Sequence, residues 1–284
     1  MNSNQSGMLY VVATPIGNLS DMVPRAVHTL QSVSVIACED TRHSKKLLEH
    51  FSIDTPCTAY HDHTDQRSAH KILSRLADGD DVALISDAGT PLISDPGYRL
   101  VAQARNQGIP VIPIPGACAA ISALSVSGLP TDKFRFVGFL PAKSTQRQKV
   151  LETLKSVPDT LVFYEAPHRI CAALNDALEV FGSERIAFMA REISKTFETY
   201  LYGTIEELLA QVSADSNQQR GEIVLVLAGN TASNQNLSAN AEKIVKILMY
   251  DLPITKAASL AAKITGDDKK QLYQLALTLQ NKSP

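Results

Sequence analysis

The sequence predicts an α/β fold in two successive units, the first built on a mainly parallel sheet and the second on a mixed one. Three observations carry this. Short, almost unbroken apolar runs alternate with helix-length segments up to about residue 130. The alternation resumes after a Gly-Leu-Pro-Thr-Asp break at Gly128–Asp132. And 284 residues exceed what one comfortable core holds, because single cores stop growing near ~250–300 residues.

In the first unit, Met8–Ala13 is a strand-sized apolar run that ends in the turn Thr14-Pro15-Ile16-Gly17-Asn18. Arg25–Gln31 reads as a helix and Val33–Cys38 as a buried β-branched strand. Helices are expected at Ser44–His50 and Ser68–Ala77, the latter with Ile72, Leu73 and Leu76 on one face. Val82–Ser86 is a strand, Arg99–Asn106 a helix, Pro110–Ile114 a strand and Ala117–Ser127 a helix of small side chains. Strands that are apolar on both faces belong in parallel sheets covered on both sides. From Asn106 to Thr131 there is no charge at all, a length that could cross a bilayer. Pro110, Pro113, Pro115 and Gly116 break it up, whereas a span needs ~20 continuous helical residues, so it reads as buried core.

The second unit opens with the strand Phe134–Phe139 and a polar loop, Pro141–Gln148, with Lys143, Arg147 and the adjoining Lys149 as a basic patch. Thr160–Tyr164, Arg185–Ala190 and Glu222–Ala228 are strands; Arg169–Phe181 and Ile205–Val212 are helices. A polar linker at Thr231–Ser238 leads to helices at Ala239–Leu248, Thr255–Ile264 and Lys269–Gln280. From Ser238 onward seven Lys face four acidic residues, which gives a basic helical tail, either a solvated cap or an RNA-contacting module. The expected division is 8–130, 131–230 and 238–284.

A formal net charge of −2 excludes a globally basic nucleic-acid coat but leaves room for a local basic patch. Cys38, Cys57, Cys118 and Cys171 have no CxxC spacing and are expected as reduced thiols. The polar stretch Met1–Gly7 lacks signal-peptide character, so a cytoplasmic, non-membrane protein is expected. His61-Asp62-His63, with Asp65 nearby, lacks the spacing of a defined zinc site, and no metal is expected. No GxxxxGK[ST] occurs, no GxGxxG follows the first strand and no GxSxG elbow is present.

The strongest local signal is Ser86-Asp87-Ala88-Gly89-Thr90-Pro91-Leu92-Ile93-Ser94-Asp95-Pro96-Gly97, which leaves the carboxyl end of a buried strand. Open α/β sheets bind ligands at that edge. Its glycines admit close backbone approach, and its prolines stiffen it. The competing reading is a pair of turns with Asp95 capping a helix. Pro113–Ala120 runs from strand through a glycine turn into a helix of small residues, which suits either a ligand at the helix N-terminus or close helix–sheet packing. Thr14–Asn18 and Cys38-Glu39-Asp40-Thr41-Arg42 leave strands at the same expected edge. Tyr164-Glu165-Ala166-Pro167-His168-Arg169 and Arg191-Glu192-Ile193-Ser194-Lys195 do so in the second unit. Each sets carboxylates beside cations, a pattern for proton handling or phosphate contact that ordinary ion pairs also explain.

Six ordered motifs between Met8 and about Gly229 resemble the tetrapyrrole methylase superfamily: Thr14–Asn18, Asp40–Arg42, Ser86–Gly97, Pro115–Ala120, Tyr164–Arg169 and Arg191–Lys195. The likeness is closest to the ribosomal RNA branch, which methylates a cytidine 2′-hydroxyl in small-subunit (16S) RNA. A glycine-rich first loop is usual among the tetrapyrrole enzymes, and Thr-Pro-Ile-Gly-Asn departs from it. The resemblance implies S-adenosylmethionine in a cleft between two α/β domains, and a homodimer acting on the small ribosomal subunit. It implies cofactor contacts from Pro15, Asp87, Ala88, Gly89, Thr90, Ala117, Cys118, Ala119, Tyr164, Leu227 and Ala228. The family often has Ser at the place of Cys118. Loop position makes Asp40, Glu165 and Lys195 the candidates for proton transfer, and Asn18, Arg42, Arg169 and Arg191 those for holding RNA. Methylation of a tetrapyrrole or other small molecule is the runner-up activity, and a non-catalytic RNA-binding ribosome-assembly protein is the alternative of another class.

Overall fold

The computed structural model describes residues 6–60, 66–230 and 240–280. The first sheet joins β1 (Leu9–Val12), β2 (Val35–Cys38), β3 (Cys57–Ala59), β4 (Val82–Ile85) and β5 (Val111–Ile114), all parallel, in the order β3-β2-β4-β1-β5. β2 and β4 are buried along their whole length because apolar clusters cover both faces. α3 (Gln66–Ala77) and α4 (Tyr98–Asn106) contribute Ile72, Leu76 and Leu100 to one cluster. α1 (Pro24–Ser32) and α2 (Thr41–His50) contribute Leu30 and Leu48 to the other. The uncharged segment resolves into β5 and α5 (Ala119–Val126), and no described helix is long and apolar enough to cross a membrane.

α5 joins the two halves. Its Ala120, Ala123 and Leu124 pack on Val162, Phe188, Val224 and Val226 of the second sheet, so the small side chains serve close helix–sheet packing. That sheet joins β6 (Phe134–Phe139), β7 (Thr160–Glu165), β8 (Ile186–Arg191), β9 (Thr199–Thr204) and β10 (Ile223–Leu227) in the order β6-β7-β10-β8-β9. Only β6 and β7 are parallel; the other pairs are antiparallel. Its opposite face carries α6 (Ser144–Leu154), α7 (Ile170–Phe181) and α8 (Ile205–Ala214) over Leu161, Phe163, Met189 and Leu225.

The expected basic loop at Pro141–Gln148 is a correction: α6 begins at Ser144. Arg147 is buried and ion-paired with Asp176 at 2.5 Å, and it also donates to the carbonyls of Pro141 and Ala142. A buried guanidinium so paired fastens α6 to α7 and is not available to a polyanion. The sequence reading missed β3, a three-residue strand, and β9, an edge strand whose alternate exposure dilutes its apolar pattern. α9 (Ala241–Asp251), α10 (Ile254–Thr265) and α11 (Lys269–Gln280) bury Val245, Ala258, Ala261 and Leu272 among themselves, with Gly266 at φ +76° ending α10. The Thr231–Ser238 linker and His61-Asp62-His63 lie outside the described residues.

Candidate active site

The Ser86–Gly97 loop is fastened to the first turn by a two-way backbone bridge. The Thr14 N–H donates to the Gly89 carbonyl at 2.8 Å, and the Gly89 N–H donates to the Thr14 carbonyl at 3.1 Å. Gly89 sits at φ +82°, and a Cβ there would stand 3.2 Å from Ile16 Cγ2, so glycine suits both conformation and space. Thr90 Oγ1 donates to the Ala117 carbonyl at 2.9 Å and ties the loop to the turn before α5. Further along, Leu92 and Ser94 lie at φ +72° and +62°; two non-glycine residues in the left-handed region mean local strain held by the surroundings. Asp95 is not a helix cap: Gly97 holds that position before α4.

A cavity of about 490 Å³ opens beside this loop, within the ordinary range of ligand sites. Asp87, Ala88, Gly89, Thr90 and Asp95 line one wall, Ile16 and Ala119 another, and Tyr164, Glu165 and Ile223 a third. Its ionisable lining among the described residues is Glu39, Asp87, Asp95, Tyr164, Glu165 and Glu222, with no lysine or arginine. Burial, and then the nearby Glu39 and Asp87 carboxylates, push the Asp95 carboxyl up to about 6. Tyr164 is pushed up to about 12, chiefly by burial and then by Cys118. Its hydroxyl accepts the Ala120 N–H at 3.2 Å, which ties β7 to the N-terminus of α5. Edge-to-face contacts with Phe136 and Phe139, at 5.0 and 5.6 Å, hold the ring.

Glu165 is the most informative group here. It is only 2% exposed, and its Oε1 meets Arg169 at 2.6 Å and the Ala166 N–H at 2.7 Å. Its buried Oε2 has no partner, and the residue lines the cavity. An unpaired buried acceptor costs about 1–3 kcal/mol, so a ligand donor would relieve it. Arg169 and Lys195 offset Glu165 and Glu222, and the remaining carboxylates of Glu39, Asp87 and Asp95 favour a positively charged guest over a phosphate.

The other expected site residues divide sharply. Asp87, Ala88, Gly89, Thr90, Ala119, Tyr164 and Glu165 meet at the cavity. Pro15 is buried in the adjoining turn, and Cys118 takes the N-cap position of α5 without a side-chain cap bond. Leu227 and Ala228 stand at the wrong end of β10. That strand runs antiparallel to β7, pairing Ile223 with Glu165 and Leu227 with Leu161, so its start reaches the cavity and Leu227 packs in the outer core. Asp40 caps α2 through the Arg42 N–H at 2.8 Å. That N–H is the chief reason its carboxyl is held below the usual range, which unsuits it for taking a proton. Arg42 is exposed beside it. Asn18 likewise caps the turn Leu19–Asp21.

Arg191 is buried and donates to the Phe197 carbonyl at 2.8 Å and to Thr199 Oγ1 at 2.9 Å. It fixes the β8–β9 turn and does not face outward to hold RNA. Burial alone would lower the Lys195 pKa, but Glu192 and Glu222, at 2.9 and 3.0 Å, raise it overall. Lys195 is thus held as a cation between two carboxylates. Its stem packs over Gly17, where a Cβ would collide with it. Ile16, Glu39, Asp95 and Ile193 line the cavity from within turns singled out in the sequence, although none of them was chosen as a site residue. The Gly221–Val224 stretch also lines it and carried no such signal.

The tetrapyrrole (corrin/porphyrin) methylase family matches residues 8–209, and the RsmI C-terminal HTH domain matches residues 235–280. The chain belongs to the tetrapyrrole methylases, in their ribosomal RNA small subunit methyltransferase I branch. It is 53% identical to "Ribosomal RNA small subunit methyltransferase I" of Pseudomonas aeruginosa over 98% of this chain and 99% of that one. With the protein of the same name from Escherichia coli O157:H7 it shares 49% identity over 98% and 97%. The fold is also that of uroporphyrin-III-C-methyltransferase from Thermus thermophilus, with a TM-score of 0.56 at 19% identity over 78% of this chain and 94% of that one. As a tetrapyrrole methylase the chain is a methyltransferase. Among its described residues no group of three His, Cys, Asp or Glu side chains is placed to hold a metal ion.

Proposed function

We propose that this methyltransferase uses S-adenosylmethionine to methylate the 2′-hydroxyl of a cytidine in 16S RNA of the small ribosomal subunit. The acceptor follows the printed name of relatives about half identical over nearly the whole chain. The observation that carries the chemistry is the carboxylate-ringed cavity with the unpartnered Glu165 Oε2 in its wall. S-Adenosylmethionine, when bound, supplies an electrophilic methyl group on a positively charged sulfur.

Asp87 through Thr90, with Ile16, Ala119 and the start of β10, form the cradle for that donor. Asp87 and Asp95 attract its positive charge, and the strained Leu92–Ser94 segment holds the cradle's shape. Glu165 would take the proton of the acceptor hydroxyl, and the bound donor would supply the methyl group to that hydroxyl's oxygen. Arg169 orients that carboxylate through Oε1 and leaves the buried Oε2 without a protein partner. Alignment and proton removal are what such an in-line transfer asks of a protein. Residues 8–130 and 131–230 act as the two domains of the cleft, and the basic helices of 238–284 contact the RNA. The active form is a cytoplasmic homodimer that needs no metal.

The test is tritium transfer from labelled S-adenosylmethionine to small ribosomal subunits, free 16S RNA and a tetrapyrrole, with the RNA product digested by alkali. Label in an alkali-resistant dinucleotide beginning with cytidine is the expected result. Label in a base or in the tetrapyrrole would overturn the reading.

A further inference from the structure

A second cavity of about 480 Å³ lies at the same edge of the first sheet. It shares two lining residues with the first cavity, Ile16 from the turn after β1 and Ile193 from the β8–β9 turn. The rest of its wall is of another kind. Val23, Pro115, Gly116, Ala117 and the hydroxyl residues Ser122 and Ser194 line it, with Asp21 as the one ionisable group among its described lining. Ser194 Oγ is buried and has no hydrogen-bond partner.

We propose that this second cavity is the acceptor chamber, which receives the target nucleoside unstacked from its RNA strand. The inference rests on the RNA methylation proposed above and adds where the acceptor enters. A methyl transfer requires donor and acceptor on opposite sides of one contact, with reacting atoms about 3–3.5 Å apart. Two chambers of similar size that share Ile16 and Ile193 provide such a seam. Their linings divide the guests by charge: the surplus of carboxylates at Glu39, Asp87 and Asp95 favours a cationic donor in the first, while hydroxyl and apolar residues suit an uncharged sugar and base in the second. A paired nucleotide cannot enter a pocket of this kind, so the strand presents an unpaired or flipped one.

The seam is held firmly. Glu192 and Ser194, on either side of Ile193, lie at φ +54° and +64°, and two left-handed non-glycine residues flanking one position mark an imposed conformation. The Ser194 N–H donates to Glu198, Lys195 bridges Glu192 and Glu222, and buried Arg191 anchors Phe197. These contacts fix Ile193 between the chambers, and they leave the buried Ser194 hydroxyl without a protein partner. Ser122 Oγ donates to the Cys118 carbonyl at 2.9 Å, so its own helix keeps that side chain against α5.

The experiment compares the wild type with Ser122→Phe, which fills the chamber, and Ser194→Ala, which removes only its unpartnered hydroxyl. Methylation of small ribosomal subunits, S-adenosylmethionine affinity by calorimetry and melting temperature are measured for each. Ser122→Phe is expected to lose about 50-fold or more in kcat/KM for RNA while cofactor affinity and melting temperature hold. Ser194→Ala is expected to raise KM for RNA about fivefold with cofactor affinity unchanged, and it decides the matter if the larger side chain unfolds the protein. Wild-type activity in Ser194→Ala, or in a folded Ser122→Phe, overturns the acceptor chamber and leaves the RNA reading intact. So does a loss confined to cofactor affinity. A wild type inert toward every RNA, yet binding the cofactor, overturns the RNA reading and this inference with it.

Discussion

Two turns of this molecule carry the same chemical signature and do different work. After β2 the chain reads Asp40-Thr41-Arg42; after β7 it reads Glu165 through Arg169. In the first, the side chains are 92% and 43% exposed for Arg42 and Asp40, and the carboxylate is occupied with capping α2. In the second they are 20% and 1% exposed for Arg169 and Glu165, and one buried carboxylate oxygen has no partner in a residue that lines a cavity. A carboxylate beside a cation is therefore not a site by composition. Desolvation separates the two, because an exposed pair is screened and worth ~0–1 kcal/mol, whereas a buried one cannot lose a partner cheaply.

The largest effect should follow from removing Arg169. Arg169→Ala leaves a buried carboxylate unpaired, and we expect about 3 kcal/mol less stability by urea unfolding together with loss of methylation. Glu165→Gln keeps the shape but not the proton acceptor. At saturating cofactor its single-turnover rate should fall about 100-fold or more, with Asp40→Asn within about twofold of wild type. A fall in both variants would erase the contrast between the turns.

Acidity gives a subtler view of the same cavity. Because Asp95 titrates near 6, it is largely neutral at pH 5 and charged at pH 7. Affinity for a sulfonium guest should thus rise from pH 5 to pH 7, and Asp95→Asn should flatten that rise in calorimetry. The sign follows from charge: each proton lost adds a negative charge to a cavity that holds a cation. The smallest change belongs to the first turn. Asp40→Ala should cost about 1 kcal/mol of stability, as a lost helix cap does, with the rate intact.

Much of the architecture was legible because strand and helix periods are local. β6 and α11 fall on the expected boundaries, and the Ser86–Gly97 loop could be singled out from its prolines, glycines and place after a strand. What stayed hidden depended on partners distant in the chain. Ile223–Leu227 reads the same whether the strand runs parallel or antiparallel, so the wrong end of β10 was assigned to the cleft. Arg147 and Arg191 read as surface cations until Asp176, in α7, and the Phe197 turn are seen to bury them. The Asp40 cap went unread because the helix was expected to start at Ser44 and starts at Thr41; the Glu165 oxygen, left bare by tertiary burial, has no local signature at all.

Titration calorimetry with S-adenosylmethionine tests most directly whether the carboxylate-ringed cavity holds a cationic methyl donor. Wild type and Asp40→Asn should bind one equivalent per chain with equal affinity, and Asp87→Asn should bind about tenfold more weakly, a difference of ~1.4 kcal/mol. No binding by the wild type, or undiminished binding by a folded Asp87→Asn, would contradict it.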